Sequence, residues 1–284
     1  MPDQLDHVWN RLTRFVAPMS VMVAVACALP CASLAKPGWQ MLPGDGAVDY
    51  QLGGAYPPED RVSVVVRDST AEPSAGRYNI CYVNVFQTQP GRLQWWLSHH
   101  PNALLRDDDG NLVADPGWPD EYVLDTRTEA TRAQIADAAR GTIELCAAKG
   151  FDAVEFDNLD SWTRFEALTV DGNIALATTL VDVAHGLGLA AGQKNAPDLG
   201  ARGPGAGFDF VISEECAAWD ECGVYRDHYG ANHIDVEYDG ALGKAGSFAA
   251  LCKLPDQPTL TVLRDHNLVG PGQAGYVFEL CSAG

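Results

Sequence analysis

Residues 150–162 of this 284-residue chain read GFDAVEFDNLDSW, with Glu155, Asp157 and Asp160 set among Val154, Phe156 and Leu159. Carboxylates in an apolar run are costly unless they are paired or used in chemistry. The pattern predicts a strand over Ala153–Asp157, in which Ala153, Glu155 and Asp157 share one face and Val154 and Phe156 the other. The same grammar recurs along the chain. Tyr122–Thr126 ends in Asp125, Leu189–Asn195 ends in Gln193-Lys194-Asn195, Phe208–Ile212 runs into Ser213-Glu214-Glu215-Cys216, and His233–Tyr238 ends in Glu237-Tyr238. Polar groups at the ends of five strands point to one ring of convergent side chains. Acids with a lysine, an asparagine and aromatics are the inventory of carbohydrate hydrolysis. One carboxyl group must be protonated to donate to the leaving oxygen, and another must be ionised as nucleophile or base. Lys194 is placed to keep one carboxylate ionised, while a crowded apolar setting holds its partner protonated. Trp39, Trp118, Trp162, Trp219, Tyr82 and Tyr238 offer faces on which sugars stack, although taken singly most tryptophans are packing residues.

The elements that must position these groups are short apolar runs alternating with helical patterns. Strands are expected at Val62–Val66, Tyr78–Phe86, Tyr122–Asp125, Ala153–Asp157, Leu189–Lys194, Phe208–Glu214, His233–Tyr238 and Thr259–Leu263. The clearest helix is Glu129–Lys149, with Thr128 as N-cap and Gly150 as the stop; a second lies near Asn173–His185 and ends at Gly186. Eight strands alternating with helices predict a single-domain α/β fold, the (β/α)₈ TIM barrel, of about 250 residues. A doubly wound open sheet is the alternative, but no GxGxxG turn follows a strand. In a barrel Val154 and Phe156 pack under the helices, and Asp157 stands at the C-terminal rim where barrel enzymes place their chemistry. Glu155 sits roughly 6–7 Å deeper. Residues 200–207 form a Gly-rich loop, and Asp107–Asp120 is a long acidic insertion carrying Trp118.

With 19 Lys and Arg against 38 Asp and Glu, the formal charge is −19. Nucleic acid and anionic membrane surfaces are thereby poor partners, and a cationic ligand is drawn in by the long-range field. Residues 1–35 read as a cleaved signal peptide: Arg11 and Arg14 precede an apolar run too short for a secure span, and Ser33-Leu34-Ala35 supplies the small residues of a cleavage site. A secreted protein is expected, with residues 36–284 as its domain and no stable membrane insertion; a lipoprotein anchor at Cys27 or Cys31 is the weaker reading. Six cysteines remain in that domain, and an even number in an exported chain suggests disulfides. Cys216 and Cys222 are the expected pair; Cys81, Cys146, Cys252 and Cys281 can pair in three ways.

Ile80-Cys81-Tyr82, Gly117-Trp118-Pro119, the run Ala148–Asp160, Gln193-Lys194-Asn195, Glu214-Glu215-Cys216 with Cys222, and Val236-Glu237-Tyr238 occur in the order found in one enzyme family. Over roughly residues 39–265 the chain resembles glycoside hydrolase family 114, the endo-α-1,4-polygalactosaminidase group. The resemblance implies a barrel that cleaves α-1,4-linked galactosamine polymers without a metal or cofactor, and a monomer is expected. By that analogy Asp157 and Glu214 are the catalytic pair, Asp157 as nucleophile or base and Glu214 as acid. Glu155, Asn158, Asp160, Lys194 and Glu237 become supporting or substrate-binding groups, joined by Tyr82 and Asp125. A cationic amino-sugar polysaccharide also gives the charge a role in attraction. Two segments depart from the family. Val83–Gln87 replaces small residues and a glutamate, which implies that an acidic contact in the cleft is lost, and the insertion Arg106–Pro116 is atypical.

Two rivals come from other classes. A catalytically silent barrel of the same fold would bind glycans without shortening them. An amidase or deacetylase would want metal ligands, and the seven histidines offer only His99-His100 as a close pair, a poor shared site.

Overall fold

A computed structural model describes residues 38–281, and the expected signal peptide lies outside them. Eight parallel strands pair in sequence order: β1 (Val48–Gln51), β2 (Val64–Asp68), β3 (Tyr78–Asn84), β4 (Ala153–Asp157), β5 (Ala190–Lys194), β6 (Phe210–Glu214), β7 (His233–Tyr238) and β8 (Leu260–Arg264). A short β9 (Phe278–Leu280) adds antiparallel to β8. The helices are α1 (Leu93–His99), α2 (Glu129–Lys149), α3 (Ser161–Arg164), α4 (Val170–Gly186), α5 (Arg202–Gly205), α6 (Cys216–Trp219), α7 (Cys222–Tyr229) and α8 (Phe248–Leu251). This is the (β/α) barrel architecture read from the sequence. None of the described helices is long and apolar enough to cross a membrane.

Alternation along each strand divides the core in two. Val48, Tyr50, Val64, Ile80, Ala153, Phe210, Ile212, Val236 and Val262 fill the axis, whereas Val154, Phe156, Ala191 and Val211 pack outward against Ile135, Ile143, Leu176 and Leu180 of α2 and α4. Gly192 faces the axis opposite Glu155, and a Cβ there would lie 2.5 Å from the Phe210 ring, so only glycine lets that ring fill the barrel. The helix ends are set by local chemistry. Thr128 and Thr131 cap α2 reciprocally, and Gly150 ends it in the left-handed region at φ 89°.

Two strand expectations require correction, and they offset one another. Tyr122–Asp125 is no barrel strand: residues 122–124 make isolated antiparallel bridges to Ala114, Gln87 and Leu104, within a hairpin-like insertion. The first barrel strand is instead Val48–Gln51, where the polar Asp49 and Gln51 hide a strand whose four residues are all buried. Because one strand was missed and one added, Ala153–Asp157 and Phe210–Glu214 are still the fourth and sixth. Part of the Gly-rich 200–207 loop is helical, as α5.

Among the described residues no backbone ladder joins β1 to β8. The seam is closed by Arg264 at the end of β8, fully buried, which donates to Tyr50 O and lies 3.4 Å from Asp49 Oδ1 on β1. Its remaining N–H groups reach Val277 O and Val269 O. Three disulfides add covalent ties: Cys216–Cys222 as expected, Cys81–Cys146 between β3 and α2, and Cys252–Cys281 between the end of α8 and the end of β9.

Candidate active site

β4, β5 and β6 each end in a charged, axis-facing residue: Asp157, Lys194 and Glu214. The residue after each strand, Asn158, Asn195 or Glu215, adopts a positive φ of 61°, 50° or 56°. Asparagine tolerates this region, and a glutamate there costs about 1–2 kcal/mol. The turns are pinned by Asn195 N–H donating to Ile212 O, Glu215 N–H to Val236 O, and Asn158 N–H to Asp157 Oδ1. Together they turn the backbone away and leave three side chains facing one cleft of about 580 Å³.

Lys194 is the hub. Its ammonium lies 3.0 Å from Glu214 Oε2, 3.5 Å from Asp157 Oδ1 and 3.9 Å from Glu155 Oε1, with the side chain almost wholly buried. Asp157 Oδ1 and Glu214 Oε2 are therefore no further apart than the sum of 3.5 Å and 3.0 Å. The Tyr82 hydroxyl donates to Asp157 Oδ2 at 2.5 Å. Glu214 accepts from the Tyr238 hydroxyl at 2.6 Å and from Asn195 Nδ2 at 3.0 Å, while its own N–H donates to Asn195 Oδ1. Burial pushes the Glu214 carboxyl up, but Lys194, Tyr238 and Asn195 outweigh it and hold the group at about 2.

Glu155 behaves in the opposite way. It is fully buried beneath the cleft, accepts from Tyr50 OH at 2.9 Å, and its Oε2 has no partner among the described residues. Burial, reinforced by the Asp157 and Glu214 charges, raises it to about 8 against the pull of Lys194 and Tyr50. At neutral pH it is a protonated group with no surface to offer a ligand.

The structure brings together seven of the nine residues singled out in the sequence: Asp157, Glu214, Asn158, Asp160, Lys194 and Tyr82 line the cleft and Glu155 supports it from below. It does not bring in the other two. Asp125 lies off the barrel wall, bound to Arg127 through both carboxylate oxygens. Glu237 points outward, toward the helices, because the axis side of β7 carries Ile234, Val236 and Tyr238. Its Oε1 accepts from Ala217 N–H, and burial together with the neighbouring Asp235 pushes its carboxyl well above the usual carboxylate range. Of the tryptophans among the described residues, only Trp118 lines the cleft; Trp39 stacks on His185 and donates to Asp209. Sequence reasoning missed Tyr50 and His266 as cleft residues, and it took Tyr238 for a stacking face rather than the hydroxyl donor to Glu214. Period-two alternation through Val236 would have found Tyr238.

Cys216, His233 and Asp235 are close enough to share a metal ion, but they lie on the outer side of β6 and β7 and the Cys216 sulfur is bonded to Cys222. They belong instead to a buried network in which Ser213 Oγ bridges His233 Nε2 and Asp235 Oδ1.

The sequence profile of glycoside-hydrolase family GH114 matches residues 29–284. Comparison with curated proteins gives no match. Among solved structures, the fold is similar to Aspergillus fumigatus Ega3 in complex with galactosamine, with a TM-score of 0.66 and 20% identity over 81% of this chain and 94% of that one. It is also similar to the glycoside hydrolase domain of PelA from Pseudomonas aeruginosa, with a TM-score of 0.53 and 14% identity over 82% of this chain and 98% of that one.

Proposed function

The chain belongs to glycoside-hydrolase family GH114, and from that premise we propose that it is an exported endo-acting enzyme that cleaves α-1,4-linked galactosamine polysaccharide with Asp157 and Glu214. The observation that carries this reading is the pair of carboxylates ending β4 and β6, facing one cleft with Lys194 between them. Their oxygens, at most the sum of two short contacts apart, suit the closer spacing of retaining glycosidases better than the wider gap that holds a water. Support for the amino-sugar substrate comes from the net charge of −19, which attracts a polycation, and from likeness to a protein solved with galactosamine. Three disulfides fit an oxidising compartment and a signal peptide at residues 1–35.

In the first step Asp157 attacks the anomeric carbon while Glu214 gives its proton to the departing glycosidic oxygen, leaving a glycosyl ester on Asp157. In the second, ionised Glu214 takes a proton from water, whose oxygen attacks the same carbon and frees Asp157. Lys194, Tyr238 and Asn195 hold Glu214 in the ionised form that the second step uses. The first step needs the acid form, so the bound sugar must loosen the Lys194–Glu214 contact and leave the ammonium on Asp157. Tyr82 and Asn158 fix the Asp157 carboxylate for in-line attack.

The test is to incubate the purified domain with partly deacetylated α-1,4-galactosaminogalactan and with chitosan, and to size the products. Galactosamine oligomers are expected from the first alone, and Asp157→Asn and Glu214→Gln should each abolish them while the domain still folds and unfolds cooperatively. Retention of the polymer without shortening would support the silent binding barrel instead, and cleavage of chitosan alone would overturn the substrate.

A further inference from the structure

The cleft holds more carboxylates than the reaction uses, and their charges are matched unevenly. Lys194 serves Asp157 and Glu214. Arg164 serves Asp160 at 2.7 Å and Asp115 at 3.4 Å. Among the described residues Glu121 has no cation in contact, and the Arg164 charge acts on it only from beyond ion-pair distance. Its Oε2 accepts from Asn84 Nδ2 at 2.8 Å, and among the described residues nothing donates to its Oε1, although the residue is 9% exposed and lines the cleft.

The segment carrying Glu121 is rigidly held. Gln87 Nε2 donates to Asp115 Oδ2 at 2.6 Å, Gly117 N–H donates to Asp115 Oδ1, and Glu121 N–H closes the turn on Trp118 O at 2.8 Å. Bridges from 104 to 124 and from 114 to 122 clamp the flanks, and Leu105 and Val123 bury against Leu168. This turn also projects the Trp118 indole, 66% exposed, over the same cleft. An exposed indole beside an unmatched carboxylate suits one kind of ligand: a sugar ring whose C–H face stacks on the indole and whose substituent is a cation.

We propose that Glu121 and Trp118 form a subsite for a protonated amino sugar beside Asp157 and Glu214, the indole stacking on the ring and Glu121 Oε1 taking the ammonium. The inference rests on the polysaccharide reading above and says which wall of the cleft selects the free amine over its N-acetyl form. A carboxylate this buried with no cation in contact is uncomfortable when ionised, and burial, helped by the Asp157 and Asp115 charges, raises Glu121 to about 7 against the pull of Asn84 and Arg164. A bound ammonium relieves that cost, whereas an acetamido group brings no charge. The segment after Tyr82, which lacks a glutamate of its own, thus has an acid supplied to its end through Asn84.

The experiment measures calorimetric affinities in the Asp157→Asn background, with and without Glu121→Gln, for an α-1,4-galactosamine oligomer and for its fully N-acetylated counterpart. Glu121→Gln should weaken the amine oligomer about tenfold or more, and should change the acetylated one by no more than about twofold. Equal weakening of both, or of neither, overturns the assignment. Trp118→Ala, at an exposed position that does not threaten folding, should weaken both oligomers; unchanged affinity for both removes the subsite even if the Glu121 variant fails to fold. A wild type that cleaves neither polymer, with an Asp157→Asn variant that binds neither oligomer, overturns the polysaccharide reading and this inference with it. Cleavage and binding with an unaltered preference in Glu121→Gln overturns this inference alone.

Discussion

Replacing Lys194 by methionine keeps the buried stem and removes the ammonium on which the site turns. In the wild type Glu214 sits at about 2 against an ordinary 4.5, because Lys194, Tyr238 and Asn195 outweigh burial. A depression of that size is worth roughly 3 kcal/mol at about 1.36 kcal/mol per unit. The folded-state pKa lies below the unfolded one, so this stability is fully present above 4.5 and is lost as pH falls toward 2. Without the ammonium at 3.0 Å, burial governs and Glu214 moves above 4.5. The group then costs stability at neutral pH and costs nothing once protonated.

Glu155 does not blur the comparison. At about 8 it is protonated from pH 3 to pH 7 in the wild type, and loss of Lys194 raises it further. The stability gap between Lys194→Met and wild type should therefore be largest at pH 7 and should shrink by roughly 2 kcal/mol or more on going to pH 3, where a group at about 2 is still mostly ionised. In a domain of this size that corresponds to roughly 4–8 °C or more in Tm. Urea or thermal unfolding of both proteins at pH 3, 5 and 7 reads it directly. A gap equal at pH 3 and pH 7 would refute the reasoning, because a purely packing role for the lysine stem has no pH dependence.

Cleavage of an α-linked galactosamine substrate followed by NMR should release first the α-anomer, the outcome favoured by Asp157 and Glu214 oxygens no further apart than the sum of 3.5 Å and 3.0 Å; initial β-anomer would put the two carboxylates on an inverting path. Replacing Cys81 and Cys146 together by serine opens a 65-residue loop between β3 and α2, and should cost about 4 kcal/mol by the chain-entropy relation, seen as a lower urea midpoint. Glu237→Gln offers Ala217 N–H a neutral acceptor much like the protonated carboxyl and should leave kcat/KM within about twofold; a large fall would return Glu237 to the cleft.

What the sequence disclosed, and what it hid, follows from where the polar residues of each strand point. β4 alternates in the ordinary barrel manner, with Val154 and Phe156 under the helices, so the inward aim of Glu155 and Asp157 was readable from spacing. β7 inverts that manner. His233, Asp235 and Glu237 face the helices, where each finds a hydrogen-bond partner in Ser213, Gln257 or the Ala217 N–H, while Ile234 and Val236 fill the axis. A polar outer face satisfied by hydrogen bonds looks, in one dimension, like a row of site residues, and that is how Glu237 was assigned to the cleft. β1 was missed for a related reason. Asp49 and Gln51 break its apolar run, yet both are buried because Arg264, from the far end of the chain, accompanies them into the seam. No local pattern can report a partner 215 residues away. The acidic insertion was legible as an insertion but not as a wall of the cleft, since that placement depends on Asn84 at the end of β3, Gln87 in the loop after it and Arg164 on α3 gripping Glu121 and Asp115. Residues that do chemistry at strand ends are thus foreshadowed by period-two spacing, whereas residues that meet a ligand from a loop are fixed by contacts that spacing does not record.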